Sequence, residues 1–218
     1  MKSRERKLVL KILIVDDHAV VRAGLQQILA ETNDLVAARE SSNGKEALKL
    51  AAAGDFDLVL LDIALPDMSG LDVLKELHRA QPARPVLMLS MYPEEQYAIR
   101  ALKAGARGYL TKGSAPEELI SAIRKVSQGG RYISLVLAEK LACYLGADQE
   151  KSPHQTLSDR EYQVMLMIAS GKTVTEIADE LVLSTKTIST NRRRALQKMG
   201  MKNNAEFTYY AIKEGLVG

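Results

Sequence analysis

Four apolar segments in the N-terminal half lead to side chains that could carry out phosphoryl chemistry. Asp16 and Asp17 follow LKILIV, Asp62 follows DLVLL, Ser90 closes PVLMLS, and Lys112 lies two residues after RGYL. Neighbouring carboxylates destabilise one another unless a cation shares them, and Mg²⁺ suits a partly hydrated site with few carboxylates. A cation, an ammonium and a hydroxyl around one carboxylate would stabilise a transferred phosphoryl group. Asp62 is therefore the candidate nucleophile, which would form an aspartyl phosphate.

These segments belong to an alternation of strands and helices that fills the first 130 residues. Strands are predicted at 10–15, 35–40, 57–61, 85–90 and 107–110. Helices are predicted at 19–30, 44–53, 70–80, 94–104 and 115–127. Strict alternation favours an α/β fold, a (βα)5 doubly wound parallel sheet of flavodoxin-like order 2-1-3-4-5. Strands 1 and 3 are neighbours in that order, so the carboxylates at their C-terminal ends converge.

The pattern changes to helices alone after residue 155, with helices predicted at 158–169, 174–181, 185–199 and 203–214. Ser158 and Glu161 form a capping-box pair, and Ser184 can cap the third of these helices. A chain of 218 residues suits two domains better than one. We predict an α/β domain at 10–128, a linker with a helix at 129–155, and a small all-α helix-turn-helix domain at 156–218.

The composition is that of an ordinary globular protein, with 46% hydrophobic and 26% charged residues. Its apolar runs are far shorter than the roughly 20 residues of a membrane span, so we expect no membrane partner. The single Cys143 cannot form an internal disulfide, and its plainer role is a small buried side chain in a helix. A cytoplasmic location is the expectation.

The strand-end motifs resemble those of a known family. ILIVDDH, DLVLLDIALPDMSGLDVL, VLMLSMY and GARGYLTKGSAPEEL are similar to the receiver domain of bacterial two-component response regulators, over residues 10–127. The resemblance implies that Asp62 accepts phosphate from a phosphohistidine on a sensor histidine kinase. It implies that Asp17, Asp62 and the backbone carbonyl of Ala64 ligate Mg²⁺, with Asp16 acting mainly through water.

The same resemblance assigns the other side of the pocket. Ser90 and Lys112 would hold the phosphoryl oxygens, and Tyr109 would swing inward as Ser90 moves. A plain packing role is the alternative for Tyr109. His18 is expected at the rim of the pocket or at the start of a helix, because the three histidines have no metal-type spacing.

The second half carries a local excess of positive charge. Residues 185–202 contain six basic side chains and no acidic one, which is typical of a nucleic-acid contact. A solvated basic helix in a small bundle is the alternative. The segment from LSDREYQVM to AIKEGLV also resembles the output domain of NarL/FixJ (LuxR-type) regulators. The resemblance implies base contacts by Ser189, Thr190 and Arg193, and phosphate contacts by Lys186, Arg192, Lys198 and Lys202.

The last predicted helix resembles the dimer surface of that family through Phe207, Tyr210 and Ala211, with packing inside the domain as the alternative. A homodimer on DNA would need an inverted-repeat promoter site with half-sites about one helical turn apart. RNA polymerase is a further candidate partner. The leading hypothesis is a transcription factor switched by phosphorylation of Asp62, and not a turnover enzyme.

Two other functions compete with this hypothesis. A phosphatase with an aspartate nucleophile typically shows Asp-x-Asp after its first strand, whereas here Asp16 and Asp17 are adjacent and the acceptor follows strand 3. A constitutive DNA-binding protein with a decayed receiver would have lost part of the pocket, but the set of pocket residues is complete.

Overall fold

The computed structural model describes residues 9–134, 137–139 and 152–217. The N-terminal domain contains a parallel five-stranded sheet in the order β2-β1-β3-β4-β5. Its strands are β1 (Leu10–Val15), β2 (Leu35–Ser41), β3 (Leu58–Leu61), β4 (Val86–Ser90) and β5 (Gly108–Thr111). The side chains of β3 and β4 are buried throughout, as expected for strands that helices cover on both faces. The predicted fold class and strand order are confirmed.

Five helices connect the strands or follow them. They are α1 (Ala19–Ala30), α2 (Gly44–Ala53), α3 (Gly70–Ala80), α4 (Glu94–Lys103) and α5 (Pro116–Ser127). Local sequence explains where several begin: the Asn43 and Ser69 side chains cap α2 and α3, and Pro116 occupies the first turn of α5. The connections between the strands and these helices are therefore short and well defined, and they carry the polar residues.

In the described residues of the C-terminal domain, all regular secondary structure is helical. A short 3-10 helix (Pro153–Thr156) precedes α6 (Asp159–Ala169), α7 (Val174–Glu180), α8 (Thr185–Met199) and α9 (Asn204–Lys213). The predicted capping box of Ser158 and Glu161 starts α6, and Ser184 caps α8, as predicted. Val182 adopts φ 51° in the turn between α7 and α8, an uncommon conformation for a β-branched residue. The apolar face of α8 is buried, namely Ile188, Ala195, Leu196 and Met199.

Two expectations for the linker lie mainly outside the described residues. Within the helix expected in SLVLAEKLACYL, residues 137–139 are helical, whereas residues 135–136 and 140–145, and with them the expected burial of Cys143, lie outside the described residues. Among the residues that it does describe, no helix combines the length and the apolar character needed to cross a membrane.

Candidate phosphorylation pocket and DNA-binding face

The pocket lies where β1, β3, β4 and β5 end, at one edge of the sheet. The Lys112 ammonium lies 2.7 Å from an oxygen of Asp62 and 2.6 Å from an oxygen of Asp16. All three side chains are nearly fully buried. The residues that sequence analysis singled out on three separate strands therefore meet around one ammonium group, which neutralises part of their charge.

The environment of Asp62 keeps its carboxylate reactive. One oxygen accepts a hydrogen bond from the backbone N–H of Ile63 at 2.7 Å, and the other is bound by Lys112. Burial raises the pKa of Asp62 to about 6, while the positive charge of Lys112 acts against that rise. The group is thus mainly ionised at neutral pH, as a nucleophile must be.

The loop after β3 closes tightly around the acceptor. Gly70 donates its backbone N–H to the carbonyl of Ile63 at 2.8 Å, and Ala64 pairs with Ser69 in an isolated bridge. A Cβ atom on Gly70 would lie 1.8 Å from the carbonyl oxygen of Asp62. Only glycine fits there, so Gly70 fixes the acceptor although sequence analysis did not select it. The signal was the glycine at the predicted start of a helix.

Asp67 attaches the same loop to the neighbouring helix. Its two oxygens accept hydrogen bonds from the backbone N–H groups of Gly44 (2.8 Å) and Lys45 (2.9 Å), at the start of α2. Burial opposes ionisation, but these backbone hydrogen bonds lower the pKa of Asp67 below its usual value. The acceptor loop is therefore held from both sides.

The carboxylates fit a hard divalent cation. Ligand atoms of Asp16, Asp17, His18 and Asp62 all lie within 4.8 Å of one another. Asp17 Oδ1 is buried and accepts no well-aligned hydrogen bond, although His18 Nδ1 lies 2.7 Å from it. A buried carboxylate oxygen without a donor is costly unless a cation or water binds it. The donor set thus matches the oxygen ligands of Mg²⁺, and His18 lies at the rim, as expected.

The opposite wall contains the hydroxyl groups predicted to respond to phosphorylation. Ser90 and Tyr109 are completely buried. Ser90 Oγ accepts a hydrogen bond from the N–H of Tyr92 at 3.1 Å, and the Tyr109 hydroxyl donates to the carbonyl of Tyr92 at 2.8 Å. Tyr109 already points inward in this structure. Its specific hydrogen bond goes beyond plain packing, and its movement stays a prediction.

The predicted DNA-binding side chains divide into two groups. Lys186, Ser189 and Arg193 on α8 are exposed, and Lys202 just beyond it is exposed too. Thr190, Arg192 and Lys198 already have partners: the hydroxyl of Thr190 donates to the carbonyl of Lys186, Arg192 binds Asn204, and Lys198 binds the buried Glu161 at 2.6 Å. All of the first group and also Lys198 are exposed, whereas the side chains of the second group make contacts within the domain as well.

The predicted dimer residues lie mostly inside the domain. Phe207 and Ala211 are fully buried in the core, which matches the alternative of internal packing, and Tyr210 is half-buried. Tyr209 and Ile212 are the exposed large apolar side chains of α9. A dimer contact through α9 would therefore use Tyr209 and Ile212, with Phe207 and Ala211 shaping the helix behind them.

An ion-pair contact between the two domains was not predicted from the sequence. Asp159, at the start of α6, is buried between Lys75 of α3 and Arg100 of α4. Arg100 also donates to the carbonyls of His154 and Leu157. Its guanidinium carbon lies 3.9 Å from the centre of the Tyr162 ring. These are ordinary surface residue types in the sequence, and nothing in their spacing indicates that they meet.

A parallel α/β domain with a buried acidic pocket, followed by a helix-turn-helix domain with an exposed basic helix, defines the class of response regulators that bind DNA. The chain belongs to this family, since residues 12–124 match the response regulator receiver domain and residues 155–211 match the luxR family of bacterial regulatory proteins. The family consists of regulators and not of turnover enzymes.

Individual relatives cover almost the whole chain. It is 38% identical over 209 residues to the response regulator UvrY of Escherichia coli O6:H1, covering 95% of this chain and 96% of UvrY. It is 39% identical to the response regulator GacA of Pseudomonas aeruginosa, covering 96% and 98%. Among solved structures it resembles Salmonella RcsB bound to promoter rprA with the phosphomimetic BeF3−, at 25% identity, a TM-score of 0.64, and 93% and 98% coverage.

Proposed function

We propose that this protein is a transcription factor of a two-component system whose DNA binding is switched by phosphorylation of Asp62. The observation that carries the proposal is the burial of Asp62 beside Lys112, in a chain whose basic α8 remains exposed. We assign the receiver to residues 10–128, the linker to 129–155 and the output domain to 156–218, in the cytoplasm.

The chemistry at Asp62 is a transfer of one phosphoryl group. A carboxylate oxygen of Asp62 forms a bond to phosphorus, while the phosphorus–nitrogen bond of a phosphohistidine on a sensor kinase breaks and its electron pair stays on the imidazole. Lys112 and Ser90 line the pocket where the phosphoryl oxygens would lie. Slow hydrolysis of the aspartyl phosphate by water would return the protein to its resting state.

Mg²⁺ would be held by Asp17, Asp62 and the carbonyl of Ala64, with Asp16 acting through water. When bound, the ion would neutralise charge on the phosphoryl oxygens. The convergence of the carboxylates and the buried oxygen of Asp17, which accepts no well-aligned hydrogen bond, support this assignment.

The output domain would bind promoter DNA through α8. Arg193 and Ser189 are the exposed candidates for base edges, with Lys186 and Lys202 on phosphates. Thr190 would join them at the bases, and Arg192 and Lys198 at the backbone, after exchanging their present partners. A two-fold dimer on an inverted repeat would place two such helices about one turn of DNA apart, within reach of RNA polymerase. The structure of the relative RcsB bound to promoter DNA supports this assignment.

The test measures DNA binding of the full chain on a promoter-fragment library, with and without a small phosphodonor and Mg²⁺. Wild type is compared with Asp62→Asn, which keeps the size of the side chain but removes the nucleophile. We expect tighter binding by phosphorylated wild type and no response in the variant. Equal binding in all four conditions would contradict control by Asp62 phosphorylation while leaving the DNA-binding role intact.

A further inference from the structure

The backbone of Tyr92 is held by both switch side chains of the pocket. Its N–H donates to Ser90 Oγ at 3.1 Å, and its carbonyl accepts from the Tyr109 hydroxyl at 2.8 Å. A Ser90 hydroxyl that turns toward a phosphoryl group must change its bond to Tyr92. A rearrangement of Ser90 or Tyr109 therefore acts directly on the Tyr92 backbone.

The side chain of Tyr92 begins an aromatic series that crosses into the output domain. The ring centres of Tyr92 and Tyr97 lie 5.0 Å apart, and Tyr97 meets Tyr162 of α6 edge-to-face at 5.5 Å. These separations are within the attractive range of aromatic pairs. The Tyr162 hydroxyl donates to the carbonyl of Gln96 on α4 at 2.8 Å, which adds a direct hydrogen bond between the domains.

The docked arrangement buries a polar group at the centre of this aromatic series without satisfying its hydrogen-bonding capacity. Tyr97 is fully buried, and its hydroxyl has no hydrogen-bond partner among the described residues. A buried hydroxyl without a partner disfavours the state that buries it. Separation of the domains would let water reach this group, so the docked and separated states are closer in free energy than the ion pairs around Asp159 alone would make them.

We infer that Tyr92 is the positioning residue through which the phosphorylation pocket controls the docking of the output domain on the receiver. The inference rests on the proposed function, because it assigns the regulation of the same site. Movement of Ser90 shifts the Tyr92 backbone, the Tyr92 ring then leaves Tyr97, and the support of Tyr97 for Tyr162 weakens.

Hydrogen exchange of the full chain, read by mass spectrometry with and without BeF3− and Mg²⁺, tests the inference. Peptides over 62–65 and 109–113 report on the pocket, and peptides over 94–104 and 157–164 report on the docking contact. In wild type we expect the pocket to become protected and exchange at the contact to rise about tenfold, a typical coupling between two sites.

In Tyr92→Ala, the pocket is expected to respond as in wild type, while the contact exchanges fast without BeF3− and changes no further. Tyr92→Phe keeps the ring on Tyr97 and removes only the hydroxyl, which hydrogen-bonds the Gln163 side chain of α6; if the ring and not this hydroxyl carries the coupling, the variant responds like wild type. Met91→Ala, a neighbour that is 74% exposed, is the matched control and should also respond like wild type.

The outcomes separate the inference from the proposed function. A contact that still responds to BeF3− in Tyr92→Ala, or a loss of response in folded Tyr92→Phe, would overturn the role of the Tyr92 ring. A pocket that responds in wild type without any change at the contact would overturn the inference and leave phosphorylation of Asp62 standing. A wild-type pocket that ignores BeF3− would contradict the proposed function itself.

Discussion

The phosphorylation pocket and the face of α8 are both rich in charge, but they differ in where their charges find partners. Lys112, Asp16 and Asp62 are buried and already bind one another. Lys186 and Arg193 are exposed on one helix. The fold of the sheet therefore supplies the charge partners inside the pocket. The exposed charges of α8 would find their partners on a bound molecule. Changes in the pocket should act on structure and function together, and changes of the exposed Lys186 and Arg193 should act on binding alone.

The largest effect is expected where the backbone itself makes the pocket. Gly70→Ala places a Cβ atom 1.8 Å from the carbonyl oxygen of Asp62, so the loop must shift. We expect the receiver to lose about 3 kcal/mol of its free energy of unfolding, in the range of overpacking, and phosphate uptake to fall with it. Urea unfolding and a phosphorylation gel measure the two effects.

Gly24→Ala is the matched control for this change. Gly24 lies within α1, and a Cβ atom there meets nothing within 4 Å. We expect a gain of about 1 kcal/mol, since alanine favours a helix over glycine. Equal stability of the two variants would refute the view that the loop around Asp62 leaves no room at Gly70.

The next largest effect is expected at the contact around Asp159 that joins the two domains. Arg100→Ala removes the hydrogen bonds to His154, Leu157 and Asp159 and the stacking on Tyr162. One hydrogen bond to a charged group contributes roughly 1.5–3 kcal/mol and Arg100 makes three, so docking of the domains should weaken at least about a hundredfold. Hydrogen exchange over 157–164 measures it.

Lys75→Ala serves as the comparison for Arg100→Ala. The side chain of Lys75 is 52% exposed, against 18% for Arg100, although both bind Asp159. An exposed ion pair contributes about 0–1 kcal/mol, so this variant should stay docked. If Lys75→Ala opened the contact as far as Arg100→Ala does, the hydrogen bonds and stacking of Arg100 would not be what holds it.

A smaller effect, on DNA affinity, is expected for the basic side chains on and just beyond α8. Arg193→Ala should weaken binding to the preferred site by about 1–3 kcal/mol and relax sequence preference, if Arg193 contacts a base. Lys202→Ala should weaken binding to all DNA sequences alike. It should also lower the slope of log affinity against log salt concentration by about one. Titrations on specific and random DNA at several salt concentrations distinguish the two. Identical profiles for both variants would assign Arg193 to phosphates.

The smallest effect comes from pH. Burial and the nearby Arg100 and Lys103 lower the pKa of His154 to about 4 in the docked state, from an ordinary value of 6.5. His154 Nδ1 lies 2.6 Å from the Tyr210 hydroxyl, and its ring packs on Tyr162. A lowered histidine pKa means that docking is strongest above pH 6.5 and weakens as the pH falls toward 4.

At pH 5.5 the ratio of docked to separated chains should be about tenfold lower than at pH 8. Hydrogen exchange over 157–164, corrected for the intrinsic pH dependence of exchange, measures the ratio. His154→Gln keeps a polar side chain and should lose this dependence. An unchanged pH profile in His154→Gln would show that another group titrates.

The pocket was predictable because apolar strands and the residues after them follow from local sequence. The end of each strand is a fixed position in a parallel sheet, so Asp16, Asp62 and Lys112 had to converge. The bounds of α8 and its buried face followed equally from periodicity. The contact around Asp159 was not predictable, since it depends on how two separately folded domains meet, which no local pattern encodes. Gly70 was missed because it matters through the close approach of the Asp62 carbonyl, which is visible only in the folded structure.

The exposure of α8 in the docked arrangement has a consequence for how many DNA sites the protein holds at once. The receiver leaves Lys186, Ser189 and Arg193 exposed, so under the proposed function a single chain would bind one half-site whether docked or separated. Under the same proposal, the gain in affinity on release would come from valency. Two tethered output domains that can turn toward adjacent half-sites bind with avidity, which raises affinity by about 10²–10⁴ without a new contact.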